Sequence, residues 1–319
     1  PPPAAGSVLP DRGQFTRMDP EVRQLRGRIE LQDGRGGVWA RIEGWQDIMY
    51  QCSPQVLRCS RNPRAHTIGQ ARDFADLPGE VTVVRVDQSF LSDARLSWAA
   101  RIYMTRAELG EYDQLAGSHR RQRQMLMSRC AVKDAVRIRE ARMETAEQML
   151  HPARIEISHD DGGAPRVSFV QGLARRTPHV SLAHTDTTSV AAAADVPVGV
   201  DVESVANVEQ IDASTFAGAD ELARLAAALG DGPKARTMLW CAKEAASKAA
   251  GTGLAGRPRD WSLISATSPA TLTIEHRPTG HRYDVVARMD AAEVAIAVAR
   301  VAASNPVPSP NADPAAAAR

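Results

Sequence analysis

The sequence predicts an α/β chain, on three observations. Short segments in which apolar residues alternate with polar ones recur along it, which is the period of strands. Two stretches, residues 120–142 and 239–250, instead carry the Ala, Leu, Met, Arg and Lys content of helices. The order strand, helix, strands occurs twice, over residues 81–195 and 196–302, with no repeat visible in the sequence itself.

Residues 1–20 are rich in Pro, Gly and Ala without an apolar period, so they are expected to be loose. Residues 25–50 hold RGRIELQD, a GRGG turn and VWARIEGWQDIMY, which fit two strands joined by glycines. RCSRNPRAHTIGQ, at 58–70, reads as a connector in which His66 is an isolated polar residue. VTVVRVD, from Val81, is a short strand, and SWAARIYM another extended or packed piece. Thr105 and Glu108 form a capping box that opens a helix through about Leu115. In the long helix at 120–142, Arg129, Lys133 and Arg137 recur every four residues as a basic stripe between apolar faces. IEISHDDGGAPRVSFV is two strands about a Gly-rich turn, and VSLAHTDTTSVAAAAD is a hairpin that carries His184. Beyond Gly251, WSLISAT, TLTIEH, HRYDVVARM and AEVAIAVARVA read as antiparallel strands. The tail from Ser304, rich in Pro and Ala, is expected to be disordered.

The 319 residues carry a formal net charge of +1, which gives no case for nucleic acid or an anionic membrane surface as partner. The four cysteines, Cys52, Cys59, Cys130 and Cys241, form no CxxC and no metal-ligand spacing. A cytoplasmic protein with reduced thiols is expected. No basic segment followed by an apolar core marks a signal peptide. The most apolar stretches, 189–202 and 291–303, are interrupted by Asp195, Glu293 and Arg300, so neither can span a bilayer.

Two blocks carry the chemistry. In PVGVDVE (197–203), Val198, Val200 and Val202 alternate with Gly199, Asp201 and Glu203, so a strand places both carboxylates on the face opposite the valines. In LWCAKEAASK (239–248), Trp240, Glu244 and Lys248 lie four apart on one face of a helix. Two carboxylates facing a third, with Lys243 and Lys248 beside it, make a site for Mg2+ and a polyphosphate, because hard oxygen ligands suit that ion and it shares substrate phosphates.

Together the blocks resemble the 4'-phosphopantetheinyl transferase superfamily, whose signatures run V/I-G-V/I-D and W/F-x-x-K-E-x-x-x-K. Every fixed position is present, in order and at the expected separation. The resemblance is strongest over residues 178–254 and continues more weakly over 105–301. It implies the Sfp-type architecture: two similar α/β halves related by a pseudo-twofold, each a small antiparallel sheet on a long helix, with coenzyme A (CoA) in the cleft between them. The halves would be residues 76–195 and 196–303, with 304–319 a tail. The implied reaction moves 4'-phosphopantetheine from CoA to the serine of an apo acyl carrier protein and releases 3',5'-ADP.

The resemblance also assigns roles. Asp201, Glu203 and Glu244 would hold Mg2+, Glu244 would act as general base, and Lys248 would stabilise the leaving phosphate. His184 and Lys243 would hold the pyrophosphate and the pantetheine end. Arg129 and Lys133, with Arg123 one turn earlier, sit in SRCAVKDAVR and its approach, which looks like the helix that contacts CoA phosphates in polyketide-associated members. The family commonly has Gly-Lys-Pro where this chain has Gly163, Ala164, Pro165 and Arg166, so Arg166 would take the place of the lysine. Ala183 stands where Ser usually precedes the histidine, and Thr252 where Lys is frequent. Residues 25–50 resemble the last hairpin of the hot-dog dehydratase region of iterative polyketide synthases. Residues 1–75 are therefore expected to be a dehydratase-like remnant and linker, in a fragment of a megasynthase whose own carrier protein is the partner. Two other classes fit the same residues: a Mg2+-dependent hydrolase of nucleotides or CoA, and an inactive docking module.

Overall fold

The computed structural model describes residues 11–19, 24–32, 37–48, 53–77, 80–91, 96–144, 148–170, 176–267 and 271–303. The expected disordered tail lies outside them. By its contacts the chain forms two compact units, Pro1–Cys52 and Ser53–Arg319. The first contains an antiparallel sheet of β1 (Asp11–Asp19), β2 (Gln24–Gln32) and β3 (Val38–Ile48), in that order. The two strands expected of residues 25–50 are β2 and β3. β1 occupies a stretch expected to be loose, because it is held by a backbone ladder from Asp11 opposite Leu31 to Asp19 opposite Gln24, which needs no apolar period.

In the second unit, α1 (Pro54–Arg61), β4 (Gln70–Arg72), β5 (Val81–Asp87), α2 (Leu96–Tyr103), α3 (Arg106–Gln114) and α4 (His119–Met143) lead into β6 (Ile155–His159), β7 (Pro165–Phe169), β8 (His179–His184) and β9 (Thr188–Ala194). α4 crosses a sheet ordered β4-β5-β9-β8, beside the β6-β7 hairpin. β10 (Val198–Ser204), α5 (Val205–Val208), α6 (Ala213–Phe216), α7 (Ala219–Leu229) and α8 (Pro233–Ala249) follow. The last strands are β11 (Trp261–Thr267), β12 (Thr271–His276), β13 (His281–Met289) and β14 (Val294–Val301), and α8 crosses the sheet ordered β10-β14-β13-β12-β11. The second unit is thus two halves, each an antiparallel sheet under one long helix.

The halves share an apolar core. Val198, Val200 and Val202 of β10 pack with Ala183, Val190, Ala192 and Ala194 of β8 and β9, and with Val286, Ile296 and Val298. This explains the alanine run of β9: every residue of that strand is buried, with α4 over the sheet and β10 against it, so small side chains are needed.

One open sequence expectation is resolved here and another fails. SWAARIYM is the packed alternative, a helix rather than an extended piece: Leu96, Ala99, Ala100 and Tyr103 are the buried positions of α2, and their spacing is that of a helix face. Residues 53–75 are not a linker. Val56, Cys59, Ile68 and Phe74 are buried, and β4 extends the sheet. The loop after α1 is held by a buried polar network. Asp134 accepts from the Gly69 amide at 2.9 Å and from the Tyr103 hydroxyl, which in turn accepts from the Ile68 amide at 2.9 Å. Arg137 pairs with Asp134 at 2.5 Å and donates to the carbonyls of Pro63, His66 and Leu150.

The two halves also repeat one device. In the first, Glu108 accepts from the Thr105 amide at 2.8 Å and the Ile157 amide at 3.1 Å, and pairs with the buried Lys133, which donates to the Tyr103 carbonyl at 2.7 Å. In the second, Glu221 accepts from the Gly218 amide at 3.0 Å and the Leu263 amide at 2.7 Å, and pairs with the buried Lys243, which donates to the Phe216 carbonyl. In both, a glutamate at the start of a short helix ties the long helix to the next strand.

Candidate active site

The site forms where β10 meets α8. A Cβ on Gly199 would lie 1.8 Å from the Ala245 carbonyl oxygen and 2.5 Å from the Ala249 nitrogen, so strand and helix touch backbone to backbone. Asp201 and Glu203 project from the same face of β10 as Gly199. The close contact therefore brings them beside Glu244 and Lys248 of α8. These four side chains and Trp240 line one cleft of about 430 Å³ together with His184, at the end of β8. His159, Gly163 and Pro165 of the β6-β7 hairpin form its other side. Trp240 is held edge-on to Phe216, with ring centroids 5.3 Å apart.

Charge is concentrated here. Lys248 Nζ donates to Asp201 Oδ1 at 2.7 Å, while Asp201 Oδ2 is buried and has no hydrogen-bond partner. Glu203 accepts from the Asn207 amide at 3.1 Å. Burial, then the neighbouring Asp201, raises the Glu244 carboxyl above its ordinary value against the pull of Lys248. Burial also raises Glu203, with Asn207 opposing and Asp201 adding to the shift. For Lys248 burial acts downward, but Asp201 outweighs it and the ammonium is raised. Burial, then Asp201 and Glu203, push the Cys241 thiol well up, so it stays protonated. Among the described residues no three His, Cys, Asp or Glu are already gathered as a metal shell. The donor set nonetheless fits Mg2+: three carboxylates share the cleft, two of them raised chiefly by burial and further by Asp201, and one buried oxygen is unpartnered.

Several expected ligand residues stand elsewhere. Lys243, one residue before Glu244, is 0 % exposed and is spent on Glu221, so it does not reach the cleft. Lys133 is likewise 0 % exposed against Glu108. Arg129 is buried, 3.2 Å from Glu108 and 3.4 Å from Glu111. The basic stripe of α4 therefore faces inward, Arg129 and Lys133 onto carboxylates supplied by α3 and Arg137 onto Asp134 of α4 itself. Arg123 lines a neighbouring cleft with Arg85, Asp87 and Thr188. Arg166 is exposed and paired with Asp160 at 2.7 Å, in a cleft that shares Pro165 and Lys248 with the first. His159 was not anticipated; its place just before the Gly-rich turn was the available signal.

The cleft thus gathers three carboxylates, a lysine and two histidines from both halves. Residues 197–299, which contain both sequence blocks, match the model of the 4'-phosphopantetheinyl transferase superfamily. That match supports phosphopantetheine transfer as the general class of activity. No curated protein matches the chain. No described helix is long and apolar enough to cross a membrane.

Proposed function

We propose that this chain transfers 4'-phosphopantetheine from CoA to a serine of an apo acyl carrier protein and releases 3',5'-ADP. The observation that carries the reading is the Gly199 contact, which sets Asp201 and Glu203 of one block beside Glu244 and Lys248 of the other. The serine oxygen forms a bond to the β-phosphorus of CoA, and the bond from that phosphorus to the bridging oxygen breaks. Glu244 takes the serine proton, directly or through a water, and its raised carboxyl makes it a stronger base than an ordinary glutamate. Lys248 meets the charge that develops on the leaving phosphate, and His184 donates to the pyrophosphate. Asp201, Glu203 and Glu244 would hold Mg2+, which when bound supplies charge neutralisation of the transferring phosphate.

The Sfp-type arrangement of halves at about 76–195 and 196–303 belongs to this reading. So does a polyketide setting in which the carrier is part of the same synthase, suggested by the resemblances of residues 25–50 and of α4. The free, buried Cys59, Cys130 and Cys241 suit a reducing compartment such as the cytoplasm. The test is incubation of the protein with CoA, Mg2+ and an apo carrier protein, followed by the carrier's mass. A gain of one phosphopantetheine, lost in Asp201→Ala, is expected. 3',5'-ADP released without a carrier would point to hydrolysis instead, and no reaction at all would point to a docking role.

A further inference from the structure

His184 has a neighbour whose role the reading above does not use. Gln124, in the second turn of α4, places its amide Nε2 2.9 Å from His184 Nδ1. An amide nitrogen only donates, so Nδ1 must accept, and a neutral imidazole that accepts at Nδ1 carries its proton on Nε2. Four residues earlier on the same helix face, Arg120 pairs at 2.5 Å with Asp186, in the turn after β8. The first turns of α4 thus grip the His184 hairpin at two points, and Nδ1 faces the helix. Nε2 is the nitrogen left to meet whatever enters the cleft that His184 lines.

We propose that Gln124 is a positioning residue: it holds His184 in the Nε2–H tautomer, so that the imidazole offers a donor rather than a lone pair to an anionic oxygen of the substrate. The inference rests on the reading that the cleft takes a pyrophosphate. If the side-chain amide were turned round, its carbonyl would accept from Nδ1–H, and the lone pair on Nε2 would oppose an anion.

Imidazole 15N NMR on the ligand-free chain at about pH 8.5, where an ordinary imidazole is neutral, reads the tautomer without any reaction. The His184 signals among the eight histidines are assigned by their loss in His184→Asn. The expected result is a protonated Nε2 in the unmodified chain and a proton moved onto Nδ1 in Gln124→Glu, whose carboxylate can only accept. A protonated Nδ1 in the unmodified chain, or identical signals in the two, would overturn the proposal. In the transfer assay Gln124→Leu should raise the KM for CoA about fivefold with kcat changed less, as for one lost hydrogen bond to bound substrate. An unchanged KM would overturn the catalytic half of the proposal even if the tautomer moves. Failure of the chain to use CoA would sink the functional reading while the NMR result still stood.

Discussion

At Gly199 a single methyl group would meet the Ala245 carbonyl at 1.8 Å, and neither partner is a side chain that can swing aside. Overpacking of a well-packed site ordinarily costs about 1–3 kcal/mol, and here it must also part β10 from α8. Gly199→Ala is therefore expected to lower the denaturation midpoint and to cut transfer more than tenfold in the protein that remains folded. Near-normal turnover would mean that the contact does not set the site. Lys133 makes the opposite case. Removing one partner of a buried ion pair costs about 3–5 kcal/mol, so Lys133→Ala should be strongly destabilised in urea while its KM for CoA stays put; a raised KM in stably folded protein would restore the sequence expectation of a phosphate contact. The sequence could group Asp201 with Glu203 and Glu244 with Lys248 because strand and helix periods fix which residues of one element share a face, and the resemblance of the two blocks to the transferase superfamily implied that the faces meet. It could not reveal that Lys133 and Lys243 are consumed by Glu108 and Glu221, since those partners come from other helices. The recurrence of aromatic residue, cap and glutamate at the same offsets in 103–108 and 216–221 was the hint.

Among the elements, α1 and the loop behind it show how far a polar segment can be integrated without an apolar period. Asp134 is fully buried, and burial raises its carboxyl despite the pull of Arg137, so its ties to Gly69, Tyr103 and Arg137 are all needed. A chain starting at residue 53 is expected to fold and keep kcat on an apo carrier within a few fold. One starting at residue 76 loses the Gly69 bond and the buried Val56, Cys59 and Ile68, and is expected to aggregate or melt early. Circular dichroism and sedimentation of the two truncations distinguish these outcomes, and a stable chain from residue 76 would remove the argument. Helices α3, α4 and α8 were legible from the capping box and composition, whereas α2 was hidden because an eight-residue segment offers barely two turns of periodicity.

Over the whole molecule, pH should act through the ties between elements. For Glu221 burial acts upward, but the Gly218 and Leu263 amides and Lys243 outweigh it, and the folded carboxyl lies below its ordinary value. The unfolded chain therefore binds more protons as acid is added. The stability contributed by Glu221 is fully present above the ordinary glutamate value of about 4.3 and is lost as pH falls through the lower folded value. The stability gap between the unmodified chain and Glu221→Gln should be widest near neutrality and shrink towards pH 3, as read by denaturant titration at each pH. A gap that grows with acid would reverse the sign assigned here. Asp290 behaves alike, since Arg85 and backbone amides outweigh burial, and its bond to Arg85 links the two halves.

The valines of β10 have one more consequence, which concerns time. Because Val198, Val200 and Val202 are locked into a core shared by both halves, no hinge can swing those halves apart without exposing that core to water. Entry of a ligand then has no slow opening step to wait for, and loops and side chains at the rim must do whatever moving is needed. The radius of gyration from small-angle scattering should be the same with and without CoA, and a contraction on binding would show that the shared core yields after all.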